Sequence, residues 1–362
     1  MKSKLRYFAI VFLVIIFTLN IIPIVLAKTR SAYLIDFIYL NEIEGSGFKN
    51  GISGEDPIYE ATAYALEILD FYGKEAHDIT DLESYLEDEL ENMFGNDEVL
   101  LYDLFFLLKS LNVLEYSIDL DLKDKIYGYI NDTEQIGGGF SFSNTSALAS
   151  LSSTYFIVQI HSLIEEPVPN ISIHTDWILK CNNSDGGYGG NSSLSSTYLT
   201  TYYAVSLLEQ FESELVNESN TLNYLNAFYI DNPSDEDNVG GFLPLITAKY
   251  TLLTSTYYIV KAISIIDESM LNNDQTIKWV LSRQYFQDGG FSDISEGSDQ
   301  LSSAVISSYY AFETLRIFNP SLSLLSGEVF MVEFNYLILV IIMAIIGIIS
   351  FAGVVIWRRR RI

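Results

Sequence analysis

Residues 181–204 read CNNSDGGYGGNSSLSSTYLTTYYA, and this stretch decides how the chain folds. It places a Gly-Gly pair before an aromatic residue and then continues into a run of Ser, Thr and Tyr. Glycine adopts the positive φ of a tight reversal without steric cost, so the pair predicts a turn. The apolar spacing after the turn is helical. The stretch therefore predicts a tight turn that leads into a helix.

The same pattern recurs along the chain at a nearly constant interval. Its aromatic residue stands at positions 48, 94, 140, 188, 242 and 291, at intervals of 46, 46, 48, 54 and 49 residues. The copies at 48 and 94 are weaker, because each has a single glycine beside the aromatic residue. Six copies of one repeat therefore account for residues 28–320.

The residues that follow the turns share one helical register. Counted from a Ser or Thr near the start, positions +3, +6, +7 and +10 are mostly apolar and lie on one face of a helix. The five reference residues are Thr62, Thr154, Thr201, Thr256 and Ser308. The second copy, residues 99–114, fits the spacing but lacks this Ser/Thr start.

A second helix precedes each turn, so every repeat is predicted to be a helix hairpin. These helices are expected at residues 31–41, 82–93, 122–130, 175–180, 222–230 and 276–281. No strand pattern is present, and twelve helices in six hairpins predict an all-α fold. Such hairpins bury their faces by stacking on their neighbours. An open solenoid needs polar end repeats, whereas the end copies here resemble the interior ones, which favours closure into a ring.

The two ends of the chain do not belong to this repeat. Residues 1–27 combine a basic start with an apolar run and predict a cleaved signal peptide or an uncleaved N-terminal anchor. Residues 336–357 carry no charge and are long enough for a transmembrane helix. The basic tail at 358–362 follows directly and is expected in the cytoplasm. Residues 321–335 are predicted to be a juxtamembrane linker. The protein is expected to be a single-pass membrane protein with its ectodomain outside the cytoplasm.

Composition restricts the classes of function. The chain has 20 basic and 47 acidic residues, a net charge of −27, and residues 28–335 alone carry −34. This acidity argues against nucleic-acid binding, which requires a basic surface. Six Asn-x-Ser/Thr sequons are consistent with an exterior location. One Cys, Cys181, and three His leave no cysteine-rich zinc site and little material for a histidine site.

Two segments carry a family resemblance. Residues 181–204 and residues 283–291, which read RQYFQDGGF, resemble the repeat of protein prenyltransferase β subunits, and squalene-hopene cyclases use a related repeat. The resemblance covers residues 28–320 and implies a prenyltransferase-like α/α toroid, with six inner helices inside six outer ones. It also implies a central cavity, lined by aromatic residues of the inner helices, that accommodates isoprenoid chains.

The metal chemistry of that family does not transfer to this chain. The zinc ligands of that family are an Asp and a Cys at the start of one inner helix and a His on a later one. The matching segments here are 254–257 and 306–309, which contain neither Cys nor His. The Asp-rich run of the cyclases is also missing, and residues 119–124 are the nearest carboxylate cluster. No zinc cofactor is therefore expected. A calcium site in the acidic loop Asp231–Asp237 is the weaker metal hypothesis.

Tyrosine pairs are the candidate ligand-binding residues. They recur at the starts of the inner helices, where they would pack between hairpins or line the mouth of the cavity and bind an apolar or glycan ligand. The six candidates are Tyr202, Tyr203, Tyr257, Tyr258, Tyr309 and Tyr310. His161 is expected to be a hydrogen-bonded core residue, and Cys181 an inert buried thiol. No catalytic residue is assigned.

Three functions remain open at this point. The first is a membrane-anchored toroid that binds an isoprenoid, lipid or glycan ligand or a protein partner without zinc chemistry. The second is a prenyltransferase- or terpene-cyclase-like enzyme that acts on an isoprenoid. The third is a purely structural surface protein. Bound zinc and turnover of prenyl diphosphates would distinguish the second from the first.

Overall fold

The computed structural model describes residues 24–96, 99–146, 148–293 and 303–333. Within these residues twelve α-helices follow one another, and residues 31–326 form one compact unit. The helices are α1 (Arg30–Leu40), α2 (Tyr59–Phe71), α3 (Ile79–Gly95), α4 (Leu101–Val113), α5 (Leu120–Asp132), α6 (Leu151–Leu163), α7 (Ile171–Lys180), α8 (Tyr198–Gln210), α9 (Glu218–Asn226), α10 (Leu253–Asp267), α11 (Asn273–Ser282) and α12 (Val305–Phe318).

The even-numbered helices form a closed inner ring. Each packs against the next one, from α2 through α4, α6, α8 and α10 to α12, and α12 packs against α2. The odd-numbered helices are the outer members of the hairpins. The prediction of an α/α toroid is confirmed, and the ring closes as the similarity of the end repeats suggested.

The glycine turns hold neighbouring repeats together. Gly186 has a φ of +91°, and a Cβ placed on it would lie 2.4 Å from the carbonyl oxygen of Asn220 in the next outer helix. A Cβ on Gly187 would lie 2.7 Å from the ring of Tyr224 in the same helix. At the end of the ring, Gly289 approaches the carbonyl of Tyr33 in α1 in the same way. The last turn therefore docks on the first outer helix, which closes the ring.

Recurring hydrogen bonds also link the turns to their own inner helices. The backbone N–H of Tyr188 donates to Oγ1 of Thr201 over 2.9 Å, and the Thr200 hydroxyl donates to the carbonyl of Tyr188 over 2.6 Å. The Ser or Thr used as the reference of the register makes the first of these bonds in five repeats. The second repeat has Leu104 at this position and lacks the bond, which explains its divergent start.

The predicted apolar stripe is the face that packs on the outer helices. Its members Ile68, Ile157, Leu207 and Ile263 are fully buried. The prediction of a wholly helical chain was incomplete, because the turns within the described residues also form two pairs of two-residue strands. These are β2 (Glu42–Ile43) with β3 (Gly47–Phe48), and β4 (Tyr188–Gly189) with β5 (Ser196–Thr197).

The ends of the described chain form a separate two-stranded ladder. Strand β1 (Ile24–Thr29) pairs antiparallel with β6 (Glu328–Glu333), so the segment predicted as a linker contains a strand. In the part of the chain that the structure describes, no helix has the length and apolar character needed to cross a bilayer. Residues 1–23 and the predicted spanning stretch 336–357 lie outside the described residues.

Candidate functional site

The candidate site is the lumen of the ring. The stripe that faces the outer helices leaves the opposite side of each inner helix turned toward the ring axis. On this side every inner helix carries aromatic residues at the same level. We name this set the aromatic belt; it consists of Tyr64, Phe105, Phe106, Tyr155, Phe156, Tyr202, Tyr203, Tyr257, Tyr258, Tyr309 and Tyr310.

Aromatic contacts run around the belt through all six inner helices. Consecutive helices are joined by the ring pairs Tyr64–Phe106, Phe105–Phe156, Tyr155–Tyr203, Tyr202–Tyr258, Tyr257–Tyr310 and Tyr309–Tyr64. The pair Tyr64–Tyr309 is stacked, with ring centroids 3.7 Å apart. Tyr202, Tyr257 and Tyr310 are 4–8% exposed. Since a wide cavity would leave ring faces accessible, these side chains largely fill the lumen at this level.

A hydrogen-bonded carboxyl lies on the side of the belt where the inner helices begin. Glu60 accepts from the Tyr102 hydroxyl over 2.5 Å and from the Tyr310 hydroxyl over 3.2 Å. Tyr310 is in turn 3.2 Å, oxygen to oxygen, from Tyr258. Burial raises the pKa of the Glu60 carboxyl, and the hydrogen bonds from the two tyrosines oppose that rise. The chain Tyr258–Tyr310–Glu60–Tyr102 thus connects four inner helices.

A cation lies on the other side of the belt. Lys109 Nζ is 2.8 Å from a carboxylate oxygen of Glu67 and 3.3 Å from the Tyr309 hydroxyl. It also lies 5.1 Å from the centroid of the Tyr64 ring and 5.2 Å from that of Tyr309, within the range of cation–π attraction. Helices α4 and α12 are not neighbours in the ring. The Lys109 side chain therefore reaches across one side of the lumen.

All six tyrosines predicted as ligand-binding residues belong to the belt. The structure brings them together as packing partners, and the ligand role itself stays a prediction. Burial raises the pKa of the belt tyrosines, and that of Tyr257 lies well above its ordinary value. Sequence reasoning missed Tyr64 and the aromatic residues of α4 and α6, although they stand at the same offset from the helix start. It also missed Glu60 and Lys109, the charged residues beside the belt.

The positions that match the zinc ligands of the resembling family hold hydroxyl residues engaged elsewhere. Ser255 donates to the carbonyl of Phe242 over 2.6 Å, and Thr256 accepts from the N–H of Phe242 over 3.0 Å. Ser308 accepts from the N–H of Phe291 over 2.9 Å. These hydroxyls fasten turns and are poor ligands for zinc, which prefers thiolate, imidazole and carboxylate. The residues present therefore do not fit a zinc ion at this position.

The acidic loop between α9 and α10 does not gather its carboxylates. Among the described residues, one group of three His, Cys, Asp or Glu side chains lies close enough together to bind one metal ion. It consists of Glu87, Glu91 and Asp119 and contains no residue of Asp231–Asp237. The calcium hypothesis for that loop stays a prediction without a preformed ligand set.

His161 and Cys181 are core residues. The expectation that His161 is hydrogen-bonded was wrong: it is fully buried, and neither ring nitrogen has a hydrogen-bond partner within the described residues. Burial lowers the pKa of His161 to about 4. Cys181 is buried as expected, its Sγ lies 3.4 Å from the carbonyl oxygen of Trp177, and burial raises the pKa of its thiol to about 12.

Comparison with known proteins agrees with this geometry. The sequence model described as "Prenyltransferase alpha-alpha toroid domain" matches residues 74–175, 170–243 and 242–334. No curated protein sequence matches the chain. The chain is similar in structure to Candida albicans protein geranylgeranyltransferase-I complexed with GGPP, with a TM-score of 0.61 and 15% identity over 74% of this chain and 85% of that chain.

A second similar structure is a type II terpene cyclase from Scytonema in complex with geranylgeranyl dihydroxybenzoate. Its TM-score is 0.50, with 11% identity over 82% of this chain and 97% of that chain. At such low identity these likenesses establish the fold alone.

Proposed function

Because the chain belongs to the prenyltransferase α/α toroid family, we propose that it is a binding member of that family without zinc chemistry. In this proposal the toroid lies outside the cytoplasm and is anchored in the cell membrane by residues 336–357. It engages an apolar or glycan ligand or a protein partner. The two similar solved structures are complexes with GGPP and with geranylgeranyl dihydroxybenzoate.

The observation that carries the proposal is the packing of the lumen. The aromatic belt and the Lys109 side chain lie on the lumen side of the inner helices, where they pack against one another. Tyr309 is 6% exposed there, so a bound chain would have to displace well-packed rings. Displacing such rings costs free energy, because each aromatic pair adds about 0.5–1.5 kcal/mol beyond its burial. Among the three kinds of partner, this favours a protein that binds outside the lumen.

The test uses the full chain purified in detergent. It is incubated with zinc, geranylgeranyl diphosphate and thiol-containing acceptor peptides, and both metal content and product are measured. We expect no bound zinc after gel filtration and no prenyl transfer. One zinc per chain, or transfer above the rate without protein, would contradict the proposal.

Membrane anchoring has its own test. Full-length chain and a chain ending at residue 335 are expressed in parallel and washed with alkaline carbonate. We expect the full chain to stay in the membrane fraction and the shortened chain to be released. Release of both would contradict anchoring by residues 336–357.

One observation favours the enzymatic alternative. Glu60 is a carboxyl group beside aromatic rings, its pKa is raised by burial, and it is hydrogen-bonded to two tyrosines. Such a group suits proton transfer to or from an apolar substrate. The alternative predicts cyclised product from geranylgeranyl substrates and its loss in Glu60→Gln. Absence of product with the unaltered chain would reject it.

A further inference from the structure

The fifth repeat differs from the others in the segment between its two helices. The interval between turns is 54 residues here and 46–49 elsewhere. Residues 227–252 connect α9 to α10, and the extra length lies before Phe242. We name residues 231–252 the fifth-repeat ledge. Long connections in compact domains are often functional. The side chains that this connection exposes to solvent therefore indicate which kind of partner it could bind.

The ledge presents large apolar side chains. Leu245 is 62% exposed, Ile246 61% and Tyr250 54%. Three such side chains within six residues form an apolar protrusion, whereas surface apolar residues are ordinarily scattered singly.

The ledge is also rigid, although it is exposed. Asn238 is buried, and its side-chain amide donates to Asp235 Oδ1 over 2.9 Å and to the carbonyl of Lys249 over 3.2 Å. Its Oδ1 accepts from the backbone N–H of Thr251 over 2.9 Å. This one side chain ties the two halves of the ledge together. Preorganisation lowers the entropic cost of binding, so the protrusion is prepared for a partner.

A contact with the neighbouring repeat fixes the ledge on the ring. The carbonyl of Asp237 accepts from Trp279 Nε1 over 3.0 Å and from the guanidinium of Arg283, both in or next to α11. Arg283 lies 4.7 Å from the Trp279 ring centroid. The acidic half of the ledge is therefore held against the neighbouring repeat.

Charge determines which partner suits this surface. The acidic half contains Asp231, Asp235, Glu236 and Asp237, and the apolar half contains a single cation, Lys249. Asp231, Glu236 and Asp237 are exposed. A second copy of this chain would bring its own acidic ledge and a net charge of −27, so like charges would oppose self-association. A neutral bilayer offers aliphatic chains but no net positive charge to pair with the carboxylates.

We propose that the fifth-repeat ledge docks a protein segment in which aliphatic side chains stand beside Lys or Arg. The aliphatic groups cover Leu245, Ile246 and Tyr250, and the basic groups face the carboxylates of the acidic half. This assignment rests on the proposed binding function and names the class of its partner. Paired charges at the rim speed association and select the partner, while the apolar contact supplies most of the affinity.

The experiment uses the full chain in lipid nanodiscs and a fluorescent peptide, Lys-Lys-Leu-Leu-Ser-Leu-Lys-Lys, followed by anisotropy with empty nanodiscs as the blank. We expect binding that weakens as salt rises. It should weaken about tenfold, equivalent to about 1.4 kcal/mol, in Leu245→Ser/Ile246→Ser and in Asp231→Asn/Glu236→Gln. A peptide with Glu in place of Lys, or with Ser in place of Leu, should bind the unaltered chain as weakly as the original peptide binds these variants.

Matched controls lie in the loop that joins α8 to α9, at the opposite end of the hairpins. Val216→Ser and Glu212→Gln/Glu214→Gln change exposed residues of the same kinds there and should leave binding unchanged.

Three results would overturn the assignment: no binding of the basic peptide, equal binding of the Glu peptide, or ledge variants that behave like the controls. A dimer of the unaltered chain that dissociates in Leu245→Ser/Ile246→Ser would assign the ledge to a second copy instead. Failure of the peptide leaves the proposed binding function intact, whereas zinc retention or prenyl transfer by the same preparation would defeat that function.

Discussion

Lys109 Nζ lies 3.3 Å from the hydroxyl oxygen of Tyr309, although α4 and α12 are separated in the ring by α2. The same ammonium pairs with Glu67 of α2, so one side chain links three inner helices. In a hollow ring this space would be open to a ligand. Here a cation of the protein itself lies against the stacked Tyr64–Tyr309 pair.

Loss of this cation should destabilise the ring. Lys109→Met leaves Glu67 without its ion pair and removes the cation–π contacts, and we expect a loss of about 1 kcal/mol in the free energy of unfolding. The comparison is Lys123→Met, whose ion pair with Glu166 has similar length and exposure. Denaturant unfolding measures both. Equal effects of the two substitutions would show that the contact across the lumen adds nothing.

Turn glycines that meet the next repeat should tolerate no side chain. Gly186→Ala combines a positive φ with a Cβ 2.4 Å from the Asn220 carbonyl oxygen, and we expect destabilisation of about 1–3 kcal/mol. Gly95 has no neighbouring atom within 4 Å of its Cβ position, so Gly95→Ala should be neutral or slightly stabilising. Thermal unfolding distinguishes the two. A neutral Gly186→Ala would argue against this packing of turn on helix.

Hydroxyl anchoring of the turns predicts a third effect. Thr201→Val removes the acceptor of the buried Tyr188 N–H, and an unsatisfied buried donor costs about 1–3 kcal/mol. Thr247→Val alters an exposed threonine of the ledge and serves as the control. Hydrogen exchange at the Tyr188 amide should accelerate in the first variant. Unchanged exchange there would contradict the anchoring role.

Acid should weaken the third repeat through His161. Its folded pKa of about 4 lies below the ordinary value of 6.5, so the unfolded chain binds the proton more readily. The free energy of unfolding contains the full contribution of the neutral imidazole above pH 6.5. This contribution falls by about 3 kcal/mol as the pH is lowered toward 4, at 1.36 kcal/mol per pKa unit.

The control for that prediction comes from the repeat itself. The other copies carry Leu69, Leu111, Leu208, Ile263 or Leu315 at this position, so His161→Leu should fit the site and flatten the stability curve between pH 6.5 and pH 4. His174, whose pKa burial also lowers, contributes the residual slope. A variant as acid-sensitive as the unaltered chain would exclude His161 as the cause.

The repeat could be read from the sequence because its signals are local. The φ of Gly186 and the register from Thr201 follow from spacing along one segment. The need for the second glycine could not be read in this way. It arises because an aromatic side chain of the next outer helix lies against this glycine, as the Tyr224 ring does at Gly187. Where the last repeat meets the first, the Phe37 ring lies against Gly290 in the same way.

Part of the aromatic belt could also be predicted, because its signal is local in the sequence. The paired tyrosines stood out as a repeated motif, whereas Phe105 and Phe156 become members of the belt only once the ring closes. Lys109 reads in the sequence as a polar interruption of an apolar helix, and its partners come from α2 and α12. The strand Ile24–Thr29 was missed because its partner lies some 300 residues further along the chain.

Native mass spectrometry of the full chain, released from detergent after incubation with zinc and geranylgeranyl diphosphate, measures whether the lumen holds a metal ion or an isoprenoid. A lumen filled by its own aromatic belt, with hydroxyls in place of metal ligands, predicts the same mass with and without this incubation, so that neither zinc nor isoprenoid is retained. A species that retains one zinc ion or one prenyl diphosphate per chain would contradict it.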